Sequence, residues 1–260
     1  MRKQLKHIIA IRVIYRFWMV LKDQYHFNLI LFFTGLASFI HDYNGLVHGE
    51  TNPNFTVSRG ELTPCLRDKT VHTPLEPVYF YQDTWAAGKI FSLKPAHHYD
   101  VGSSAMTVGI LSQFVPTTMV DIRPVELALK NLFFQEGSIV ALPFSDSSIE
   151  SLSSLCVVEH IGLGRYGDPV DPWGSEKAAR ELKRVLKAGG NLYISVPVDE
   201  ENRIYFNAHR AFTREYVLSL LDCMDLVEEK YIYGRFMLDR YEKTRGFGTG
   251  LFHFVKRAQH

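Results

Sequence analysis

From residue 78 onward, short β-branched runs alternate with longer amphipathic ones, the pattern of an α/β sheet whose strands are joined by helical crossovers. The spacing predicts a helix over Tyr81 to Phe91, closed by Pro95, then a short strand from His97 to Val101 that ends in the turn at Gly102. A helix over Ala105 to Phe114 and a strand over Thr117 to Asp121, stopped by Arg123-Pro124, follow. Ser148 to Val157 reads as a third, buried strand after the turn Leu142-Pro143-Phe144-Ser145-Asp146. The sharpest helical signal is Glu176 to Lys187: Ala178, Ala179, Leu182, Val185 and Leu186 share one face, Lys177, Arg180, Lys183, Arg184 and Lys187 the other, and Gly189-Gly190 ends it. A strand over Asn191 to Val196 stops at Pro197, Thr213 caps a helix through Asp222, and Leu226 to Tyr233 and Gly250 to Val255 are closing β runs.

Ahead of this body the pattern is different. Residues 1–26 carry Arg2, Lys3, Lys6, Arg12, Arg16 and Lys22 against the single acid Asp23, with Ile8, Ile11, Ile14, Phe17, Trp18 and Leu21 threaded between them at helical spacing. A helix of this kind lies in a membrane interface or packs on its own domain, and the spacing leaves both open. The uncharged stretch Phe27 to Ile40 is 14 residues long, short of the roughly 20 that cross a bilayer. No small-residue cleavage site follows it, so a secretory signal is not expected either. Residues 42–77, rich in Asn, Gly, Thr and Pro and without period, read as an irregular connector. The expected organisation is a basic and apolar helical extension over 1–41, that connector, and a main domain over 78–260, in a cytoplasmic protein for which a peripheral membrane contact through residues 1–40 and packing of that segment on the domain both stay open.

Composition removes several classes. With 260 residues, 46% of them apolar and 22% charged, the chain can bury a sizeable core. A net charge of +1 gives no global field for nucleic acid, and no such partner is expected. Cys65, Cys156 and Cys223 are far apart and form no C-x-x-C pair, which argues against a disulfide framework and a structural zinc site and suits a reducing compartment.

In open α/β sheets ligands bind at the carboxyl ends of the strands. Asp100-x-Gly102-Ser103-Ser104 ends the first strand in a turn where backbone N–H groups can approach a ligand. Asp121 ends the second strand, 21 residues after Asp100, the spacing at which an acid accepts hydrogen bonds from the ribose hydroxyls of an adenosine.

The succession DVGSSA, VDIRP, ALPFSDSSIESLSSLCVVEHI and ARELKRVLKAGGNLYISVPV resembles class I S-adenosylmethionine-dependent methyltransferases over roughly residues 80–256. The segments EHIGLGRYGDPVDPWG and FNAHRAFT are further similar to a methyltransferase-like family known only as a domain of unknown function. The resemblance implies a Rossmann-like, seven-stranded, mostly parallel sheet with a C-terminal antiparallel hairpin, and S-adenosylmethionine as cofactor. By position, Asp100, Gly102, Ser103 and Ser104 would line its methionine end, Asp121 its ribose and Ile122 its adenine, with Ser138 and Ile139 beside the adenine amino group. Ser104 and Met106 stand where the family has glycines, Glu150 stands for another acid, and Met106 is placed to crowd the cofactor. A catalytically inactive cofactor-binding or scaffold protein of the same fold is the alternative.

Methyl transfer from a sulfonium needs donor and acceptor in line and, for a hydroxyl, a base. Glu159-His160 leaves the fourth strand where the resembled fold presents the methyl group, and His160 is the only histidine between residues 99 and 208. His209 is the second candidate base. The insertion Gly162 to Gly174 reads as an acceptor-side lid, with Arg165, Tyr166, Asp168 and Asp171, together with Arg210, as substrate contacts. A small-molecule or glycan-type acceptor, methylated at a hydroxyl, is expected. A short-chain dehydrogenase would need a Tyr-x-x-x-Lys pair, and none of the tyrosines has Lys four residues on.

Overall fold

The computed structural model describes residues 29–49, 52, 54–55 and 62–258. The chain divides into two compact units, Met1–Pro74 and Leu75–His260. The basic helix expected over residues 1–26 lies outside the described residues.

In the first unit, α1 spans Leu29–His48. It runs past Asp42, where the sequence pattern starts an irregular connector. A Cβ on Gly35 would sit 2.3 Å from the Leu66 carbonyl oxygen, so the glycine is what admits that segment against the helix. Lys69 fastens the segment further, bonding Ser38 Oγ at 2.8 Å and pairing with Asp42. Among the described residues no helix is long and apolar enough to cross a membrane.

The second unit opens with α2, Pro77–Leu93. Pro77 takes the first turn, the Glu76 carboxylate accepts from Tyr79 N, and Lys94 closes the far end in the left-handed conformation. There follow β1 (His98–Val101), α3 (Ala105–Leu111), β2 (Thr117–Asp121), β3 (Leu132–Glu136), β4 (Ile149–Leu155), a 3₁₀ turn over Val158–His160, and α4 (Gly174–Val185). The chain then runs through β5 (Leu186–Val198), β6 (Arg203–Tyr205), β7 (His209–Ala211), α5 (Arg214–Leu220), β8 (Met224–Tyr233), β9 (Phe236–Leu238) and β10 (Gly248–Lys256).

The main sheet has the order β3-β2-β1-β4-β5-β10-β8-β9. β3 to β5 are mutually parallel, and β10, β8 and β9 are antiparallel to their neighbours. The strand order reverses between β1 and β4, the position at which doubly wound sheets open a ligand crevice. The parallel sheet with a closing antiparallel hairpin is as expected, but among the described residues the sheet has eight strands rather than seven. Gly234, at φ +60°, turns the chain back after Tyr233 and adds the three-residue β9 at the edge.

Both faces are covered. α4 and α5 pack over one, burying Ala178, Ala179, Leu182 and Val185 against Leu152, Leu192 and Ile194 of the sheet. Trp85, Ala86 and Ile90 of α2 and Leu111 of α3 pack over the other, against Leu155, Tyr193 and Leu251. At about 25 cal/mol per Å² of apolar surface removed from water, these two layers carry most of the driving force for the fold. α4 starts and ends two residues earlier than its pattern predicts, because Leu186 already takes extended geometry and pairs with Ile149. Pro197, predicted to stop β5, lies inside it opposite Thr249.

The crossover from β2 to β3, residues 122–131, contains no helix, and neither does 137–148 between β3 and β4. The carboxyl ends of β1, β2 and β4 are therefore walled by loops, and those loops shape the cleft described next.

Candidate functional site

β1 ends in Gly102 at φ +73°, a conformation that favours glycine, and a Cβ there would stand 2.9 Å from Val157 Cγ1. The turn is held from beneath. The Asp100 carboxylate accepts Ser103 N at 3.0 Å, Ser103 Oγ at 2.7 Å and the Ser153 hydroxyl, while Ser103 Oγ in turn accepts Leu155 N at 2.9 Å. Behind it the buried His98 ring contacts Ser153 Oγ through Nε2 at 2.9 Å and Ser151 Oγ through Nδ1 at 2.8 Å. Because Ser153 spends its proton on Asp100, its oxygen accepts from His98 Nε2–H, and Nδ1 accepts from Ser151. Burial raises Asp100 to about 6 against the pull of these hydrogen bonds. Asp100 was expected to line the methionine end; it lies instead beneath the turn, fully buried, and shapes the loop without facing the cleft.

Asp121 closes β2 at 8% exposure. Its Oδ1 accepts both Arg123 N, at 2.8 Å, and Arg123 Nε, at 3.3 Å, which leaves Oδ2 without a partner among the described residues.

Two adjoining cavities meet at these strand ends. The inner one, about 210 Å³, is walled by Val120, Ile122, Ile139 and Val140, with Gly102, Asp121, Ser138 and His160 among its polar or flexible lining. The outer one, about 590 Å³, is bounded by Tyr79, Ser103, Ser104 and Arg165 and shares Gly102, Asp121, Arg123, Cys156, His160 and Tyr166 with the first. Of the predicted residues, Gly102, Ser103, Ser104, Asp121, Ile122, Ser138, Ile139, His160, Arg165, Tyr166, Asp168 and Asp171 are brought to one cleft. Met106, expected to crowd the cofactor, is 78% exposed on α3 and lines neither cavity.

His160 sits on the 3₁₀ turn after β4, shared by both cavities. Its Nδ1 lies 2.7 Å from the Ala208 carbonyl, which can only accept, so the ring proton is on Nδ1 and Nε2 presents its lone pair. Burial, opposed by that carbonyl and assisted by Arg165, lowers His160 to about 4, so the ring is neutral at physiological pH. Glu159 is 1% exposed, with Oε1 at 3.7 Å from His160 Nε2 and Oε2 without a hydrogen-bond partner among the described residues. Burial raises it to about 8, so the two are neutral neighbours and not an ion pair. Glu159 was a candidate catalytic group; it lies behind the wall of the cleft.

The loop from Gly162 to Gly174 is fastened at its base. Asp171 N donates to Gly162 O at 2.9 Å, and Cβ atoms on Gly162 or Gly174 would collide with Asp171 O at 2.1 Å or Ile161 O at 2.3 Å. Asp168 accepts Gly162 N at 2.6 Å and Tyr166 N at 3.3 Å, and Asp171 accepts Trp173 N at 2.9 Å and pairs with Lys177. Arg210 was expected on the acceptor side. It is buried instead, donating to the carbonyls of Ile161 (2.5 Å) and Asp171 (3.2 Å) and to Ser175 Oγ (3.3 Å), and so clamps the loop. His209 lines neither cavity and stacks near Tyr205 and Phe247.

Three lining residues carried no usable signal in the sequence. Arg123 was read only as a strand stop, and Tyr79 comes from the first turn of α2. Cys156 takes φ +53° with its N–H bonded to Ser195, and its thiol donates to Gln82 Oε1 at 3.1 Å. Burial pushes that thiol well above its ordinary pKa, which leaves it unreactive.

The fold is that of the class I S-adenosylmethionine-dependent methyltransferases. A structure from Galdieria sulphuraria described as a sarcosine dimethylglycine methyltransferase superposes with a TM-score of 0.51 at 16% identity, covering 68% of this chain and 86% of that one. The 4+2 cyclase SpnF does so with a TM-score of 0.50 at 13% identity, over 68% and 82%. Within this fold, the family model described as "Caenorhabditis protein of unknown function, DUF268" matches residues 115–230, from the start of β2 into β8. No curated protein sequence matches the chain.

Proposed function

We propose that the protein transfers the methyl group of S-adenosylmethionine to a hydroxyl of a small-molecule or glycan-type acceptor. The observation that carries this is the convergence on one cleft of the Gly102 turn, Asp121 with Oδ2 unengaged, and the His160 lone pair. A cyclase on the same fold shows why the site, and not the fold, has to bear the argument.

The lining fits the cofactor. Ile122, Ile139 and Val140 offer apolar walls for an adenine, Asp121 Oδ2 an acceptor for ribose hydroxyls, and the side-chain-free Gly102 a close approach for the methionine arm. When bound, the sulfonium supplies an electrophilic methyl group. Tyr166 and the pinned loop cover the cleft and keep donor and acceptor in line, which is the larger part of catalysis for an in-line displacement. His160 Nε2 takes the hydroxyl proton, and the Ala208 carbonyl holds the ring in the one tautomer that can do so.

Removing a general base costs about 10²–10⁴-fold in rate. His160→Ala is expected to bind S-adenosylmethionine as the parent does and to lose transfer of labelled methyl into a small-molecule extract by that factor. Undiminished transfer across the pH range would exclude His160 and point to an acceptor that needs no base.

A further inference from the structure

Two guanidinium groups line the outer cavity, Arg165 only there and Arg123 reaching the inner cavity as well. Arg123 follows the end of β2 and Arg165 stands in the pinned loop, yet both lie against the same ring: their guanidinium carbons are 5.0 and 5.1 Å from the centroid of Tyr166. An aromatic face attracts each cation, but their mutual repulsion is left standing.

The nearby acids offset this charge only in part. Asp121 engages the Arg123 guanidinium only through Nε, so both Arg123 Nη groups are without a partner among the described residues. Arg165 makes no ion pair among the described residues, and its single hydrogen bond to a carbonyl runs from Nη1 to Ala208 O at 2.9 Å. Asp168 and Asp171 line the inner cavity and are spent on backbone N–H groups and Lys177. Glu159 is protonated and buried. Apart from Asp121 the outer cavity has no acid in its lining, and it does have the hydroxyls of Tyr79, Ser103 and Ser104. Arg165 is among the causes that lower both His160 and His209, with Asp168 opposing it at His160.

We infer that the methyl acceptor is anionic: an oxyanion, phosphate or carboxylate, is held by Arg165 and Arg123 across Tyr166, with the hydroxyl to be methylated turned toward His160. This rests on the methyl-transfer reading of the cleft and names the class of its substrate. Planar guanidinium forks match both oxyanions bidentately.

The test uses full-length protein saturated with S-adenosylhomocysteine, titrated in separate arms with inorganic phosphate and with acetate at constant ionic strength, and read by calorimetry. Saturable binding that weakens at least tenfold in Arg165→Gln and partly returns in Arg165→Lys is the expected result. Tighter phosphate than acetate assigns a phosphorylated acceptor, and the reverse a carboxylated one. S-adenosylhomocysteine affinity in Arg165→Gln should equal the parent's, which also shows that the variant is folded. Phosphate and acetate binding that is absent in the parent, or equal in parent and Arg165→Gln, would overturn the proposal while leaving the cofactor site standing. Absence of S-adenosylhomocysteine binding by the parent would remove the methyl-transfer reading and this inference with it.

Discussion

Glu159 and His160 are adjacent in sequence and opposite in use. One is sealed behind the cleft wall with an unpaired carboxyl oxygen, and the other opens onto both cavities. The pair EH was legible as a candidate; which of the two reaches the cleft was not, because that depends on the 3₁₀ turn after β4, which burial of Val158 and Glu159 fixes only in three dimensions. The burial of Glu159 has a consequence for stability. Its pKa is raised from 4.5 to about 8 in the folded protein, so the native state keeps a proton that the unfolded chain has released. Its contribution is therefore fully present below pH 4.5 and lost as pH rises through about 8. At about 1.4 kcal/mol per pKa unit the loss is on the order of several kcal/mol. Glu159→Gln cannot ionise and should escape it: in urea unfolding at about pH 5 and pH 9, the parent should lose at least ~2 kcal/mol more than the variant. Equal losses would show that Glu159 is not held neutral. Asp121 was legible from its spacing alone, whereas Arg123, two residues on, was not, since only the bend after β2 folds its guanidinium back toward Asp121 and Tyr166.

Elements with a strong period were readable and those without one were not. The α4 pattern, apolar at 178, 179, 182 and 185 with basic residues opposite, and the short buried strands β1, β2 and β4 correspond closely to what forms. β3 was missed because Leu132–Glu136 sits at the sheet edge, has no buried residue to mark it, and is joined to β2 by a crossover without a helix. The β6–β7 ribbon, three residues a side, carries no alternation to read. The loop from Gly162 to Gly174 was legible as an insertion, but its anchoring was not: the clamp is Arg210, 36 residues after Gly174. Each buried carbonyl left without its donor costs about 1–3 kcal/mol. Arg210→Met should therefore lower stability by several kcal/mol and admit proteolysis within 162–174 under conditions in which the parent resists it. A variant as stable and as resistant as the parent would mean that the loop base holds without the clamp.

At the scale of the molecule, a doubly wound sheet opens a crevice where its strand order reverses, and the Gly102 turn after β1 and His160 after β4 stand on the two sides of that point, with Asp121 one strand further out on β2. The sheet could be inferred from alternation and resemblance, but the missing helices at 122–131 and 137–148 could not, and it is their loops that supply Ile122, Arg123, Ser138 and Ile139 to the cleft. The most direct test of the account is isothermal titration of the full chain with S-adenosylmethionine, run beside Asp121→Ala. Charge-assisted hydrogen bonds of about 1.5–3 kcal/mol each link Asp121 Oδ2 to the ribose in this account, so the parent should bind one equivalent and the variant at least tenfold more weakly. A parent that does not bind, or a variant that binds as tightly, would contradict it.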